Sequence, residues 1–244
     1  MKTIILFVMV LALNAFANKL DKLQERNDII KASYKSVSDN AEHTDTWLGY
    51  VRYGKDVIIK DTKLFIIPTF DGKYEKRNNV QVNDKYDISL LLECDIPNSI
   101  TGYYLKGSYI VDEANKIYSK TKTGIGMYQY LYRSDRVLLK TREGVQYSDT
   151  SYTIDKDSVN VAYIKFGLLS GYYYANNIFI KAKADYDLSV KNKDDIIDTL
   201  VSAEYSINDK VSIETSYSYL YTKTPITNLQ HTQRVFTTYL IYKF

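Results

Sequence analysis

Cysteine is almost missing: Cys94 stands alone in 244 residues. No internal disulfide can form, so strand pairing and burial must hold the fold. Histidine is nearly as scarce. His43 and His231 are the two, and neither has a serine one or two positions away. A lipolytic site needs a nucleophilic Ser beside a His base, so that chemistry has no local support. Asp194-Asp195 is the one acidic pair suited to a protease-like rim, but it falls in a turn, where such residues are ordinary. Two distant His and one Cys give no metal-ligand spacing. No catalytic, metal or cofactor site is therefore expected. Proline is limited to three residues and glycine to ten, which excludes a low-complexity chain. Net charge is only +3, so nothing points to nucleic acid. Beyond the first residues there is no apolar run long enough for a spanning helix.

What is abundant is tyrosine: 25, against 8 Phe and 1 Trp. Tyrosine suits boundaries where one end is apolar and the other wet. The amino terminus reads as an export signal. Lys2 is the positive start, Ile4 to Leu13 is an apolar stretch too short to span, and Ala15-Phe16-Ala17 is a small-x-small cleavage site. The expected division is a signal over 1–17, a periplasmic lead-in over 18–27 and one domain over 28–244.

From there the chain alternates at period two. Ile178, Ile180, Ala182, Ala184, Tyr186 and Leu188 share one face, against Lys181, Lys183, Asp185 and Asp187. Val201, Ala203 and Tyr205 oppose Ser202 and Glu204; Ile213, Thr215 and Tyr217 oppose Glu214. Ile88, Leu90, Leu92 and Cys94 oppose Glu93 and Asp95. Leu105 and Tyr109 oppose Lys106, and Val137, Leu139 and Val145 oppose Lys140 and Arg142, with Glu143 breaking that apolar face. Pro68 sits inside another strand and implies a bulge or a local break. Short turns at 95–99, 133–136, 175–177 and 208–210 alternate with longer polar connections, among them 75–85 and 148–156. The pattern predicts an all-β, antiparallel transmembrane β-barrel of about twelve strands, with short periplasmic turns and longer outer loops. Its apolar faces meet lipid. Its lumen-facing charges are Glu93, Asp95, Lys106, Lys140, Arg142, Lys181, Lys183, Asp185, Asp187, Glu204 and Glu214. Tyrosines near both ends of the strands suit two aromatic girdles.

The chain ends in the same alternation. Phe236, Leu240, Tyr242 and Phe244 fall on one face of a last strand. Such endings resemble the closing strands of bacterial outer-membrane barrels, where the segment is read by the barrel-insertion machinery. These four residues are expected to carry that assembly signal. The expected partners are outer-membrane lipid and the insertion machinery, in the outer membrane of a Gram-negative bacterium.

In mid-chain, Gly124-Ile125-Gly126-Met127-Tyr128 is followed by Ser134-Asp135-Arg136 and by Gly144-Val145-Gln146-Tyr147. This run is similar to that of the YdiY-like family of salt-induced outer-membrane proteins, whose domain has no assigned function. The resemblance spans roughly residues 29–244. It implies an outer-membrane barrel without known catalysis. The expected role is structural, or passive passage of small solutes or ions, tied to salt or osmotic conditions. The alternatives are a barrel hydrolase acting on lipid or peptide, and a soluble periplasmic β-protein that binds a ligand.

Overall fold

The computed structural model describes residues 28–38, 43–59, 62–77, 80–113, 117–152, 158–191, 195–223 and 232–243. The expected signal and lead-in lie outside them, as do Asp194, His231 and Phe244.

The described residues form thirteen strand segments: β1 (Ile29–Ser38), β2 (His43–Arg52), β3 (Lys55–Ile59), β4 (Thr62–Arg77), β5 (Val80–Asp95), β6 (Thr101–Asp112), β7 (Ile117–Arg133), β8 (Val137–Tyr152), β9 (Ser158–Ala175), β10 (Ile178–Ser189), β11 (Ile196–Ser206), β12 (Val211–Thr222) and β13 (Thr232–Lys243). Neighbours in sequence pair antiparallel, and β13 returns to β1. β2 and β3 both pair with β4 in one register: Arg52 opposes Thr69 and Lys55 opposes Ile66. They are one strand interrupted at Tyr53 and Gly54. The result is a closed antiparallel barrel of twelve strands.

Pro68 explains the interruption. In a strand a residue's N–H and C=O point to the same side. The Pro68 carbonyl accepts the Tyr53 amide at 3.1 Å, so the donor that proline lacks is missing on that side. The ladder breaks there without a bulge, and β4 itself runs on unbroken. The Gly54 amide points the other way and donates to the Asp28 carboxylate.

Local chemistry fixes the periplasmic turns. In Ile96-Pro97-Asn98-Ser99 the Ser99 amide reaches the Ile96 carbonyl at 3.2 Å. Proline presets the first central position, and Asn98 takes a positive φ of 56° at the second, which a type II turn requires. In the turn after β11, the Asn208 side chain accepts the amides of Lys210 and Val211 at 2.9 and 2.8 Å.

Two connections differ from the sequence reading. Residues 75–85 were expected to form a long loop, yet β4 extends to Arg77 and β5 starts at Val80. Residues 148–152, expected in a loop, belong to β8. Strongly polar residues at those positions do not end strands that need no lipid-facing apolar side chain there.

Face assignment follows the pleat. Leu90, Leu105, Ile125, Val145, Ile164, Tyr186 and Ile197 are large, apolar and exposed. They occupy successive strands in direct or near register on the outer face. The interior instead holds carboxylates, ammonium groups, hydroxyls and a compact aromatic cluster. An apolar exterior around a polar interior is the build of a membrane barrel, because closure leaves the wall no free sheet edge in hydrocarbon.

Closure is uneven. β1 and β2 share ten residue pairs. Among the described residues β1 and β13 share four, from Ile29–Lys243 to Ala32–Leu240. Phe236, Leu240 and Tyr242 of the closing strand are exposed on the outer face, Phe236 to 69%.

Candidate functional site: the barrel interior

At the periplasmic end the inward side chains are buried right around the barrel. One wall is built from β6 to β10. Tyr104, Tyr128, Tyr130, Leu138, Leu169, Tyr173 and Phe179 form a continuous buried cluster there. Glycines on the facing positions make room for it. Tyr104 lies opposite Gly126, which lies opposite Gly144. A methyl group at Gly126 would collide with the Glu143 carbonyl and the Tyr104 ring, and one at Gly144 with the Ile125 carbonyl and the Tyr104 hydroxyl. Tyr128 covers Gly102 in the same way. The Gly-x-Gly-x-Tyr run is thus a packing device: its second glycine receives one ring and its tyrosine supplies another.

Buried charge is set into this wall. Glu93 accepts from Lys140 at 2.7 Å and from Arg142 at 2.8 Å, and the Lys140 and Glu93 side chains are 0% exposed. The Lys140 ammonium also stands 3.9 Å from the Tyr128 ring centroid, so the ring face adds a cation–π contact. Asp95 accepts from the hydroxyls of Tyr128 and Tyr130. One carboxylate serves two cations here, among aromatic rings.

The opposite wall, from β11 to β13 and on to β1, is made differently. Its buried inward residues include Ser202, Ser212, Ser216 and Thr237. Lys31 binds Glu214 at 2.7 Å and Lys243 binds Glu204 at 2.8 Å. Lys243 also donates to Ser212 and Ser206 at 2.6 and 3.3 Å. Glu204 and Glu214 face each other across the strand pair. Each has its own lysine, which offsets a repulsion that like charges in direct register would otherwise cost.

Above this layer the interior is uneven: Ser148, Thr150, Tyr163 and Asp187 stay buried on β8 to β10, while the inward side chains of Asp71 on β4 and Lys106 on β6 are exposed. Lys106 points inward and is exposed, so it stands in lumen water. Lys165 pairs with Asp187 at 2.9 Å and Asp185 at 3.4 Å, and Lys183 with Asp185 at 2.9 Å. Lys181 is buried at a level nearer the periplasm. The charges named from sequence therefore separate into three groups. Glu93, Asp95, Lys140 and Arg142 meet at the aromatic wall, Glu204 and Glu214 meet at the hydroxyl wall, and Lys183, Asp185 and Asp187 meet above, joined there by Lys165, with Lys106 standing apart from them. Sequence reading left out Lys31, Lys165 and Lys243, and it left out Tyr104, Tyr128, Tyr130 and Tyr173. The glycines paired with those tyrosines were the available signal.

Asp195 lies outside the bilayer-spanning part. It accepts from Lys223 at 3.0 Å and from the Ser189 amide at 3.2 Å. The Lys223 ammonium holds its carboxyl below the usual carboxylate range. The residue is a loop tether. Its sequence neighbour Asp194 and His231 lie outside the described residues.

A family match covers the part of the chain that builds this interior, residues 67–244. The chain belongs to DUF481, a family of proteins of unknown function. No curated protein matches the sequence. Among solved structures this DUF481 chain is similar to the NanC porin, with a TM-score of 0.52 and 5% identity, over 89% of this chain and 99% of that one. It is also similar to the COG4313 outer membrane channel from Pseudomonas putida F1, with a TM-score of 0.52 and 9% identity, over 88% and 94% of the two chains. Identities this low show the fold alone: an antiparallel barrel of the outer-membrane type. The matched region takes in the aromatic wall and the β11 to β13 part of the hydroxyl wall, but not β1, β2, β3 or the start of β4, which complete the circle.

Proposed function

We propose that this protein is an outer-membrane barrel for slow, passive passage of small solutes or ions. Solutes enter a wet vestibule from the outer face and meet a narrow layer at the periplasmic end. The observation that carries this reading is the contrast between an exposed inward lysine in the middle of the lumen and the closed layer beneath it. Lys106 is exposed inside the barrel, whereas Glu93 and Lys140 below it have no exposure. A purely structural barrel has no need of a wet vestibule above a packed floor. The apolar exterior supports the outer membrane as its place. In this reading lipid contacts the outer face, the insertion machinery reads Phe236, Leu240, Tyr242 and Phe244, and the segment 1–17 is removed on export.

Planar-bilayer recording tests the reading. Small conductance steps are expected at high salt. Tyr128→Ala should enlarge them, because it removes a ring from the floor. A folded, heat-modifiable barrel that gives no step, with or without that substitution, would leave the structural role. The tie to salt or osmotic conditions rests on the family resemblance, and the amount of protein made at low and high external salt tests it.

A further inference from the structure

Most cations of the upper lumen have a carboxylate within ion-pair reach, but Lys106 and Lys122 do not. Among the described residues neither makes an ion pair or a hydrogen bond with protein, while Lys165, Lys183 and Arg142 beside them do. Lys106 is on β6 and Lys122 on β7. Lys106 opposes Gly124, two positions from Lys122. Their Cβ atoms are therefore diagonal neighbours, about 7–8 Å apart on one face, within common reach of a small ligand. The strongest electrostatic neighbours of Lys106 are the cations Lys183, Lys122, Lys165 and Arg142.

A second observation falls at the same place. Lys122 lies in direct register between Ser108 on β6 and Ser148 on β8. Ser148 is 2% exposed, and its hydroxyl has no hydrogen-bond partner. A buried hydroxyl without a partner is rare, because it forfeits the hydrogen bond it had in water. Three adjacent strands thus present hydroxyl, ammonium and hydroxyl in a row, with a second ammonium diagonal to them. The Gln146 amide opposes Gly124 and adds a donor on the same inner face.

We propose that Lys106, Lys122, Ser108 and Ser148 form a binding site for a small oxyanion group, phosphate, sulfate or carboxylate, entering from the outer mouth. Lys106 is repelled by the cations around it, Lys122 among them, while Lys122 also feels Asp187, Asp87 and Asp198 from beyond ion-pair reach. An oxyanion between the two lysines offsets that repulsion and accepts from both, and it gives Ser148 its missing partner. Selectivity in a pore of this kind comes from charged side chains placed along the wall. The proposal deepens the passage reading, since it names the class of solute that the vestibule retains.

Calorimetric titration of the folded barrel in detergent, at constant ionic strength, tests it with sodium phosphate, sulfate and acetate as probes and chloride as the competitor. Saturable binding of at least one oxyanion in excess chloride is expected. Lys106→Gln and Lys122→Gln should each weaken it about tenfold, the size of one lost charge-assisted hydrogen bond. Ser148→Ala should weaken it less and without loss of folding. Lys73→Gln, which removes a cation held by Glu75, should leave binding unchanged. Heat-modifiable mobility confirms that each variant is folded. No saturable binding by the wild-type barrel, or equal binding by the Lys106→Gln/Lys122→Gln double variant, overturns the site. Titration needs no conductance, so a barrel that binds phosphate but passes no current refutes the passage reading alone. One that conducts but binds nothing refutes the site alone.

Discussion

The two walls at the periplasmic end solve one problem in opposite ways. Both bury charge. The β6–β10 wall buries it among rings: Glu93 takes Lys140 and Arg142 together, against Tyr128. The β11–β1 wall buries it among hydroxyls, with one lysine for each glutamate and Ser212 within reach of Lys243. The first arrangement gathers two cations on one carboxylate. The second has spare acceptors. Buried charge is safest where neighbouring groups can take over a lost hydrogen bond.

That difference can be broken by substitution. Glu93→Gln should be the most damaging change, since it leaves two cations facing an amide inside a dry wall. A loss of about 3–5 kcal/mol is expected, read as a lower urea midpoint in detergent-refolded protein. Next comes Gly126→Ala. The added methyl meets backbone at the Glu143 carbonyl, which cannot swing away, and the cost should be about 1–3 kcal/mol, with loss of the heat-modifiable form at high temperature. Glu204→Gln on the hydroxyl wall should cost less than either. It takes one acceptor from Lys243 but also relieves the repulsion with Glu214. A Glu204→Gln variant as unstable as Glu93→Gln would erase the distinction between the walls.

The smallest effect belongs to the outer loops. Asp195→Asn should leave the urea midpoint unchanged and only loosen the tether to Lys223, seen as faster proteolysis near residue 195. The same tether has a pH dependence. The folded pKa of Asp195 is depressed, so the contact is fully present above the ordinary carboxylate pKa. It is lost as pH falls through the lowered one. Loop cleavage should therefore rise in acid and stay flat around neutrality.

The barrel was legible because period-two alternation survives wherever one face meets lipid. Ile178 to Leu188 and Val211 to Tyr221 read clearly, and the turns between short hairpins gave the count. Legibility failed where the pleat places an apolar residue inward. Leu138, Leu169 and Phe179 are hydrophobic, yet they belong to the lumen floor. Tyr172, Tyr173 and Tyr174 look alike in sequence, but the middle one is buried and its neighbours are exposed. Parity assigns residues to faces but says nothing of partners. That Glu93 reaches Lys140 across 47 positions depends on four strands, β5 to β8, curving round a lumen. At the outer ends the reading failed for another reason. Glu75, Lys76 and Arg77 look like a loop because they are charged, yet a strand that has left the hydrocarbon can stay paired with any side chain.

The four-pair closure between β1 and β13 gives the barrel a mechanical character. A ring fastened along its whole height resists a change of girth equally at every level. This ring is clasped at its base and shares no ladder there above Ala32 and Leu240 among the described residues. It behaves as a spring clip, stiff at the clasp and compliant at the lip. Backbone amides along the upper parts of β1 and β13 should exchange with deuterated water sooner than those of β7 and β8, which pair over nearly their full length. The compliant lip is the outer mouth, and the fastened end holds the packed floor. Changes in lateral pressure in the bilayer would therefore alter the width of the mouth before they disturbed the floor.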